Sequence, residues 1–470
     1  MAGDSNGRGA TSSSSSGRSE VSITKSAMAP VRNDVQSHGN HGDCDVEGQN
    51  VTEPSIGDKP SAPKKLSPPP PPPNGGYKAW LQVLGAFFLF FNSWGIINTF
   101  GVYQTYYKAT YIPQQSPSAI SWIGTTEGFL LFLVGVIAGP IFDKGYLRFL
   151  IVTGSFCVVF GLMMTSLSTE YYQLFLAQGV LVGIGCAFLF VPSVAIVATY
   201  FTTKRALANG ITASGGSLGA VIYPIIFRKL IDKLGFGWTT RIIAFIALGC
   251  LIASIAILRS RLPPPPKTRR LLDISAVRDI PYLILSFGIF FVFVGLYFPF
   301  FYVPTDLKVR LHASDDLAFY MIAILNAGSI FGRIIPGLLA DHFGALDVMI
   351  PCSFACAVLL FAWMGIHSIA GSIVFSCLYG FFSGALVSLP PTVIASLSPD
   401  LSLVGTRMGM CFWFAGLGLL IGNPIAGALL DIYSSVFWKA QLFVAVLLIT
   451  GTGFLAWVRI MVAKEKGWKI

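Results

Sequence analysis

Two ionisable residues lie deep inside apolar runs of this sequence. Between them they could carry a proton and hold an anion. Glu127 follows Ser118, the start of its run, by nine residues, which places it about 13 Å along a helix rising 1.5 Å per residue. Arg333 precedes Asp341, the end of its run, by eight residues, about 12 Å by the same rise. Charge at such depth in a bilayer costs roughly 2.5–3.5 kcal/mol on insertion scales, so each residue calls for a reason. Glu127 reads either as a proton site that alternates between two exposures or as a neutral acid hydrogen-bonded to a neighbouring helix. Arginine cannot shed its charge, so Arg333 must face a partner or a wet cavity. It either binds a substrate anion or locks a gate, with Asp341 or a lipid phosphate as counter-charge.

Other polar side chains accompany these two. Asn92, Asn98, Asn326 and Asn423 are amides inside apolar helices; such groups line a solute path or bridge helices. Tyr297, Phe301 and Trp413 could stack on a solute, although aromatic residues in such chains also serve as packing and interface anchors. The five histidines are scattered over the tail and run ends, and no Walker motif is present. An enzyme and an ATP-driven pump are therefore not expected, and no cofactor or metal is implied. Cys352 and Cys356 share a helix face without a His or carboxylate, so buried free thiols are the expected reading of the cysteines within the apolar runs.

The elements that position these groups follow from composition. The 470 residues are 54% hydrophobic and 11% charged, against about 25% charged in soluble domains. Apolar runs of about 20 residues, enough to span a bilayer, recur along the chain. The expected fold is an all-α polytopic membrane protein with twelve transmembrane helices in two six-helix bundles. Helices are expected near 79–103, 118–141, 148–167, 172–199, 206–228, 239–259, 281–302, 317–340, 346–367, 370–396, 404–430 and 436–459. Residues 1–76, with a serine run and six prolines at 68–73, read as a disordered cytosolic arm, and the sequon at Asn50 is expected to go unused. The bundles are expected at 77–259 and 281–460, with a proline- and arginine-rich cytosolic linker at 260–280 and a cytosolic tail at 461–470. With both termini inside, eighteen lysines and arginines fall inside against eight outside, in keeping with the positive-inside rule. The basic cluster at 228–241 runs against it. The formal charge of +10 is thus a topology signal, and nucleic acid is not an expected partner.

Before the fifth run stands Lys204-Arg205, and the run carries Gly210, Gly215 and Gly219. Gly215 and Gly219, four apart, share a helix face and let a second helix approach at backbone distance. The chain also repeats. Gly139–Asp143 ends the second run and Gly337–Asp341 the eighth, 198 positions later; Pro192 and Pro390 keep that offset, and Arg205 and Arg407 are 202 apart. Two parallel, pseudo-symmetric halves with a site at their interface is the architecture of a rocking transporter.

These residues carry a resemblance to the major facilitator superfamily, and within it the chain resembles the fungal branch of the monocarboxylate porter family. The matching stretches are Gly75-Gly76-Tyr77-Lys78-Ala79-Trp80, the fifth run from Tyr200 to Gly219, and Gly332-Arg333 through Gly337 to Asp341. The resemblance implies that Arg333 binds a substrate carboxylate. It also implies that Asp143, Lys144 and Arg148 belong to a charged gate, to which Asp341 and Arg407 are assigned as further members. Asn74 replaces the family's acid. Ser329 replaces the acid one turn before the arginine in animal members, and Asn98 stands where they have a lysine. The departures make a solute larger or less anionic than lactate the better expectation. The implied function is secondary active transport of a small organic solute, coupled to protons and leaning to export of a fungal secondary metabolite, by a monomer. Uptake of a monocarboxylate or of a vitamin such as riboflavin is the alternative. A nutrient sensor signalling through the Ser-rich arm is a further class. The plasma membrane is the expected location, with the vacuolar membrane as second choice.

Overall fold

A computed structural model describes residues 73–261, 273–398, 404–430 and 437–466. Residues 1–72, with the sequon and all but the last proline of the run, most of the linker and the last four residues lie outside that set. Every described element is helical. Among the described residues, eleven helical runs are long and apolar enough to cross a membrane. One of them, Arg205–Ile257, is 53 residues long, about 80 Å at 1.5 Å per residue and more than twice the hydrocarbon thickness. It is broken at Gly235, whose φ of 72° is non-helical, so the eleven runs make twelve spans.

These spans are α1 (Tyr77–Tyr106), α2 (Pro117–Asp143), α3 (Leu147–Thr165), α4 (Tyr171–Tyr200), α5 (205–234), α6 (236–257), α7 (Ile280–Arg310), α8 (Asp315–Phe343), α9 (Ala345–Trp363), α10 (Ile369–Leu397), α11 (Val404–Ala428) and α12 (Trp438–Lys466). With an even number of spans, the chain enters α1 and leaves α12 on the same face, called here the terminal face; the opposite one is the distal face.

Helix starts follow ordinary capping chemistry. Ser116, Ser314 and Ser368 accept from the backbone N–H of Ala119, Leu317 and Gly371 to begin α2, α8 and α10. Before α1, Gly76 has φ 84°, a conformation that glycine adopts without steric cost. Asn74 precedes it, also left-handed, and its Oδ1 accepts from the backbone N–H of Thr202 and Thr203 in the α4–α5 connection. An amide oxygen thus does at this position what a carboxylate oxygen could.

Three elements differ from expectation. The stretch expected as a connection between 228 and 239 is helical on both sides of Gly235, because Phe227, Ile231 and Phe236 keep one buried side. The α7 span does not end near 302. It breaks at Tyr297, just before Pro299, and resumes as Phe298–Arg310, since proline suits a first helical turn and not an interior one. The last helix continues to Lys466. The basic cluster that defied the charge rule also acquires partners: Arg228 pairs with Asp316 of α8 at 3.2 Å, and Arg241 donates to Ser166 Oγ while lying 5.1 Å from the Trp238 ring centroid.

The spans pack through absent side chains. A Cβ on Gly215 would collide with the Phe87 carbonyl of α1, and one on Gly219 would lie 2.9 Å from Gly95 Cα of α1. In the second half, a Cβ on Gly418 of α11 would lie 2.6 Å from the Phe290 carbonyl of α7, and one on Gly422 would meet that of Val294. Gly418 and Gly422 each follow their counterparts by 203 positions, so the repeat seen in the sequence is a repeat of helix contacts. α5 has a second close face. A Cβ on Gly210 would strike the Arg333 carbonyl of α8, which makes Gly210 a contact between the halves.

Gly215→Leu or Gly418→Leu should therefore lower the melting temperature of the detergent-purified protein by several degrees, overpacking costing about 1–3 kcal/mol. Gly139→Ala, where an added Cβ meets nothing within 4 Å, should leave it unchanged or slightly raised.

Candidate functional site

Arg333 is 2% exposed, midway along α8. Its Nη1 donates to the Ala213 carbonyl of α5 at 2.5 Å and its Nε to Ser329 Oγ at 3.3 Å. Ser217 of α5 donates to that same Ser329 hydroxyl at 3.1 Å. All these partners are neutral, and among the described residues Arg333 makes no ion pair. Asp341 is not its counter-charge. The Asp341 carboxylate instead accepts at 2.9 Å from the backbone N–H of both Ala206 and Leu207, the first turn of α5, where unpaired N–H groups and the helix dipole favour an anion. Arg333 is thus a buried cation between the halves, held by hydrogen bonds and not neutralised.

Aromatic rings from both halves meet on this seam. Trp94 of α1 and Tyr297 of α7 lie nearly parallel, with centroids 5.9 Å apart and planes inclined by 7°. Phe132 of α2 approaches Phe293 of α7 at 5.9 Å and Phe412 of α11 at 5.6 Å. Gly216 joins the rings to the cation: a Cβ there would lie 2.7 Å from Trp94 Cβ and 3.3 Å from Arg333 Nη1. Trp94 was not singled out from the sequence. The available signal was a tryptophan one turn before Asn98 on a helix already selected for its amides, away from the interface positions where tryptophan usually anchors.

The amides divide. Asn92 bridges helices, donating to the Phe88 carbonyl and accepting from Tyr223 OH of α5 at 2.7 Å. Asn326 donates to the Ile322 carbonyl, leaving its buried Oδ1 without a partner. Asn98 Nδ2 and both polar atoms of the Asn423 side chain are also buried and unpartnered, as are Trp94 Nε1 and Tyr297 OH. Trp413 is 40% exposed, turned away from the seam, and does not stack there.

Glu127 is fully buried, with no hydrogen bond to either carboxyl oxygen. Among the described residues, no neighbouring helix supplies the hydrogen bond that the second reading of this acid requires. Its stretch of α2 packs on α4, where a Cβ on Gly183 would lie 3.1 Å from Glu127 Cα, while a Cβ on the adjacent Gly128 would lie 2.8 Å from the Leu419 side chain of α11.

At the terminal face Arg407 of α11 binds Asp273 at 3.1 Å and Asp279 at 2.6 Å, and its guanidinium lies 5.2 Å from the Tyr282 ring centroid. Burial opposes charge on Asp273, but hydrogen bonds from Ser275 and Arg407 outweigh it and hold the carboxyl below its ordinary range. These partners all belong to the second half, so Arg407 ties the linker end and α7 to α11. Lys144 and Arg148 are exposed, while the Asp143 side chain lies outside the described set. The structure adds one acid that sequence reading passed over. Asp306 in the distal segment of α7 is fully buried and accepts from Arg310 at 2.9 Å and from Trp363 Nε1 of α9 at 3.0 Å.

The halves touch at both faces. On the α5–α8 seam, Asp341 caps α5 at one end and Arg228 pairs with Asp316 at the other. Twelve spans in two repeated halves, with a cation and aromatic rings on the seam, define a multi-pass membrane transporter and not an enzyme. The chain belongs to the major facilitator superfamily, whose profile matches residues 83–369 and 285–469. It is similar to the MFS-type transporter dbaD of Emericella nidulans, 48% identical over 76% of this chain and 80% of that protein. It is 41% identical to the aspyridones efflux protein apdF of the same organism, over 83% and 79% of the two chains. It is also 40% identical to the agnestins efflux protein AgnL12 of Paecilomyces divaricatus, over 82% and 88%.

Asp341→Asn should weaken the charged cap between the halves, hydrogen bonds to charged groups contributing about 1.5–3 kcal/mol. In a background without reactive thiols, a cysteine at position 217 should then be labelled by a membrane-impermeant maleimide several-fold faster from the terminal face. Unchanged labelling would remove Asp341 from the gate.

Proposed function

We propose that this chain exports a small acidic organic solute, a secondary metabolite, across a fungal membrane in exchange for protons, and that Arg333 holds the acid group. The observation that carries the reading is a buried arginine with only neutral partners on the seam between the halves. An anion bound there gains a charge-assisted contact in a dry surrounding, where such contacts are strong. Export is supported by relatives whose names describe efflux of aspyridones and agnestins. The neutral Ser329 beside Arg333 leaves the cation available to substrate, where animal porters of the resembled family place an acid. Asn98, Asn326 and Tyr297 complete the substrate site with unpartnered polar atoms. Glu127 is assigned the proton: its carboxyl is buried and bonds to nothing else, so it answers to whichever face admits water. Asp143, Lys144, Arg148 and Asp341 form the cytosolic gate, with Arg407 anchoring the linker beside it rather than bridging the halves, and the terminal face is cytosolic.

In proteoliposomes loaded with a pH-sensitive dye, an acidic aromatic solute should drive proton movement. Arg333→Gln should reduce solute flux at least tenfold while the protein keeps its helical circular dichroism and melting behaviour; flux at the wild-type level would end the role assigned to Arg333. Glu127→Gln should abolish solute-driven proton movement while solute–solute exchange persists. Proton movement that survives the substitution would move coupling to another group.

A further inference from the structure

Resting on the proposed transport function, we infer that the solute is a planar conjugated acid, and that Trp94 and Tyr297 select it by giving up their mutual stack to its ring. The two rings belong to different halves, Trp94 to α1 and Tyr297 to α7, and lie within 7° of parallel at 5.9 Å. Both are almost wholly buried, yet the Trp94 indole N–H and the Tyr297 hydroxyl have no hydrogen-bond partner. Buried Trp and Tyr usually satisfy these polar ends, and an unmade bond at such a site is costly. An oxygen-bearing solute would supply acceptors to both.

The spacing then limits its shape. Arg333 Nη1 and Trp94 Cβ both lie against Gly216, at 3.3 and 2.7 Å from the position of an added Cβ. A ring lying on the Trp94 face therefore places an attached acidic oxygen within reach of the guanidinium. When the halves separate, each ring loses the other's face, and a flat π-surface replaces it where a saturated ring cannot, because the quadrupole that orders aromatic pairs is absent from aliphatic carbon. Phe132, Phe293 and Phe412 border the same seam and add further aromatic faces to it. A small aliphatic monocarboxylate would reach Arg333 and leave both rings and both polar ends uncovered.

The test pairs 3-hydroxy-2-naphthoate with its fully saturated analogue, 3-hydroxydecahydro-2-naphthoate. Counterflow in proteoliposomes and thermal stabilisation in detergent are read for the wild type, Trp94→Leu, Trp94→Phe and Tyr297→Leu. The wild type should prefer the aromatic acid at least tenfold by both readouts. Trp94→Leu and Tyr297→Leu should bring the ratio close to one through a selective loss of the aromatic acid, and Trp94→Phe should restore most of the preference. Equal handling of the two acids by the wild type overturns the inference and leaves the proposed anion transport standing, provided that both fluxes still need Arg333. A preference that survives Trp94→Leu also overturns it. If neither acid binds or moves in the folded wild type, this inference and the acidic solute of the proposed function fail together. Should Trp94→Leu not fold, Trp94→Phe and Tyr297→Leu decide the same question.

Discussion

The structure depends on backbone-to-backbone contact along α5. In a bilayer no hydrophobic force favours one apolar helix surface over another, because lipid is as apolar as leucine; association comes from close packing and hydrogen bonds. α5 provides two such surfaces. Gly215 and Gly219 set it against α1 within its own half, and Gly210 sets it against the α8 backbone beside Arg333 in the other. The first contact makes the half a body, and the second is the seam. A Cβ at Gly210 would push away the backbone that carries Arg333, so packing and chemistry occupy the same turn.

The seam is not symmetric, although the halves repeat. Gly337 of α8 comes close to α5, where an added Cβ would lie 2.8 Å from the Ala206 carbonyl, whereas a Cβ added to its counterpart Gly139 would meet no other element within 4 Å among the described residues. Arg407 is held by two carboxylates, while Arg205 donates to the Phe201 and Ala198 carbonyls and feels the charge of Asp341 without an ion-pair contact among the described residues. The prolines diverge as well: Pro192 stays inside the continuous α4, whereas Pro390 follows a break in α10 at Leu389. A duplicated frame therefore serves two tasks, a tight capped contact between α5 and α8 and a charged anchor between the linker and α11.

Much of this was legible in the sequence for definite physical reasons. Apolar length and the 200-residue offsets report spans and repeats because the bilayer constrains both, and Arg333 was found because an intramembrane charge is costly wherever it points. Direction was harder to read. Helical spacing cannot tell whether Glu127 faces the seam or α4, or that Asn92 would be taken up by Tyr223 while Asn423 stays unpartnered. Trp94 and Asp306 were missed for another reason. Trp94 is one of 63 aromatic residues in the chain, the sum of 9 Trp, 16 Tyr and 38 Phe, and only its partner across the seam distinguishes it. Asp306 lies in the part of α7 beyond the break at Tyr297, a segment that apolar length alone does not reveal.

That break bears on how binding could alter the state of the seam. A ligand shifts a conformational equilibrium only by the difference in its affinity for the two states. Contacts confined to one half travel with that half and contribute no such difference. Arg333, Tyr297 and Trp94 do not have this defect, since the first two belong to the second half and Trp94 to the first. Tyr297 is also the residue at which α7 changes helical segment, and the distal segment is fastened to α9 through Asp306 and Trp363. A solute that took the place of Trp94 against the Tyr297 ring would load the joint between a segment packed on the seam and one anchored at the distal face. Its binding energy would then fall on an element whose helical hydrogen bonding is interrupted at Tyr297.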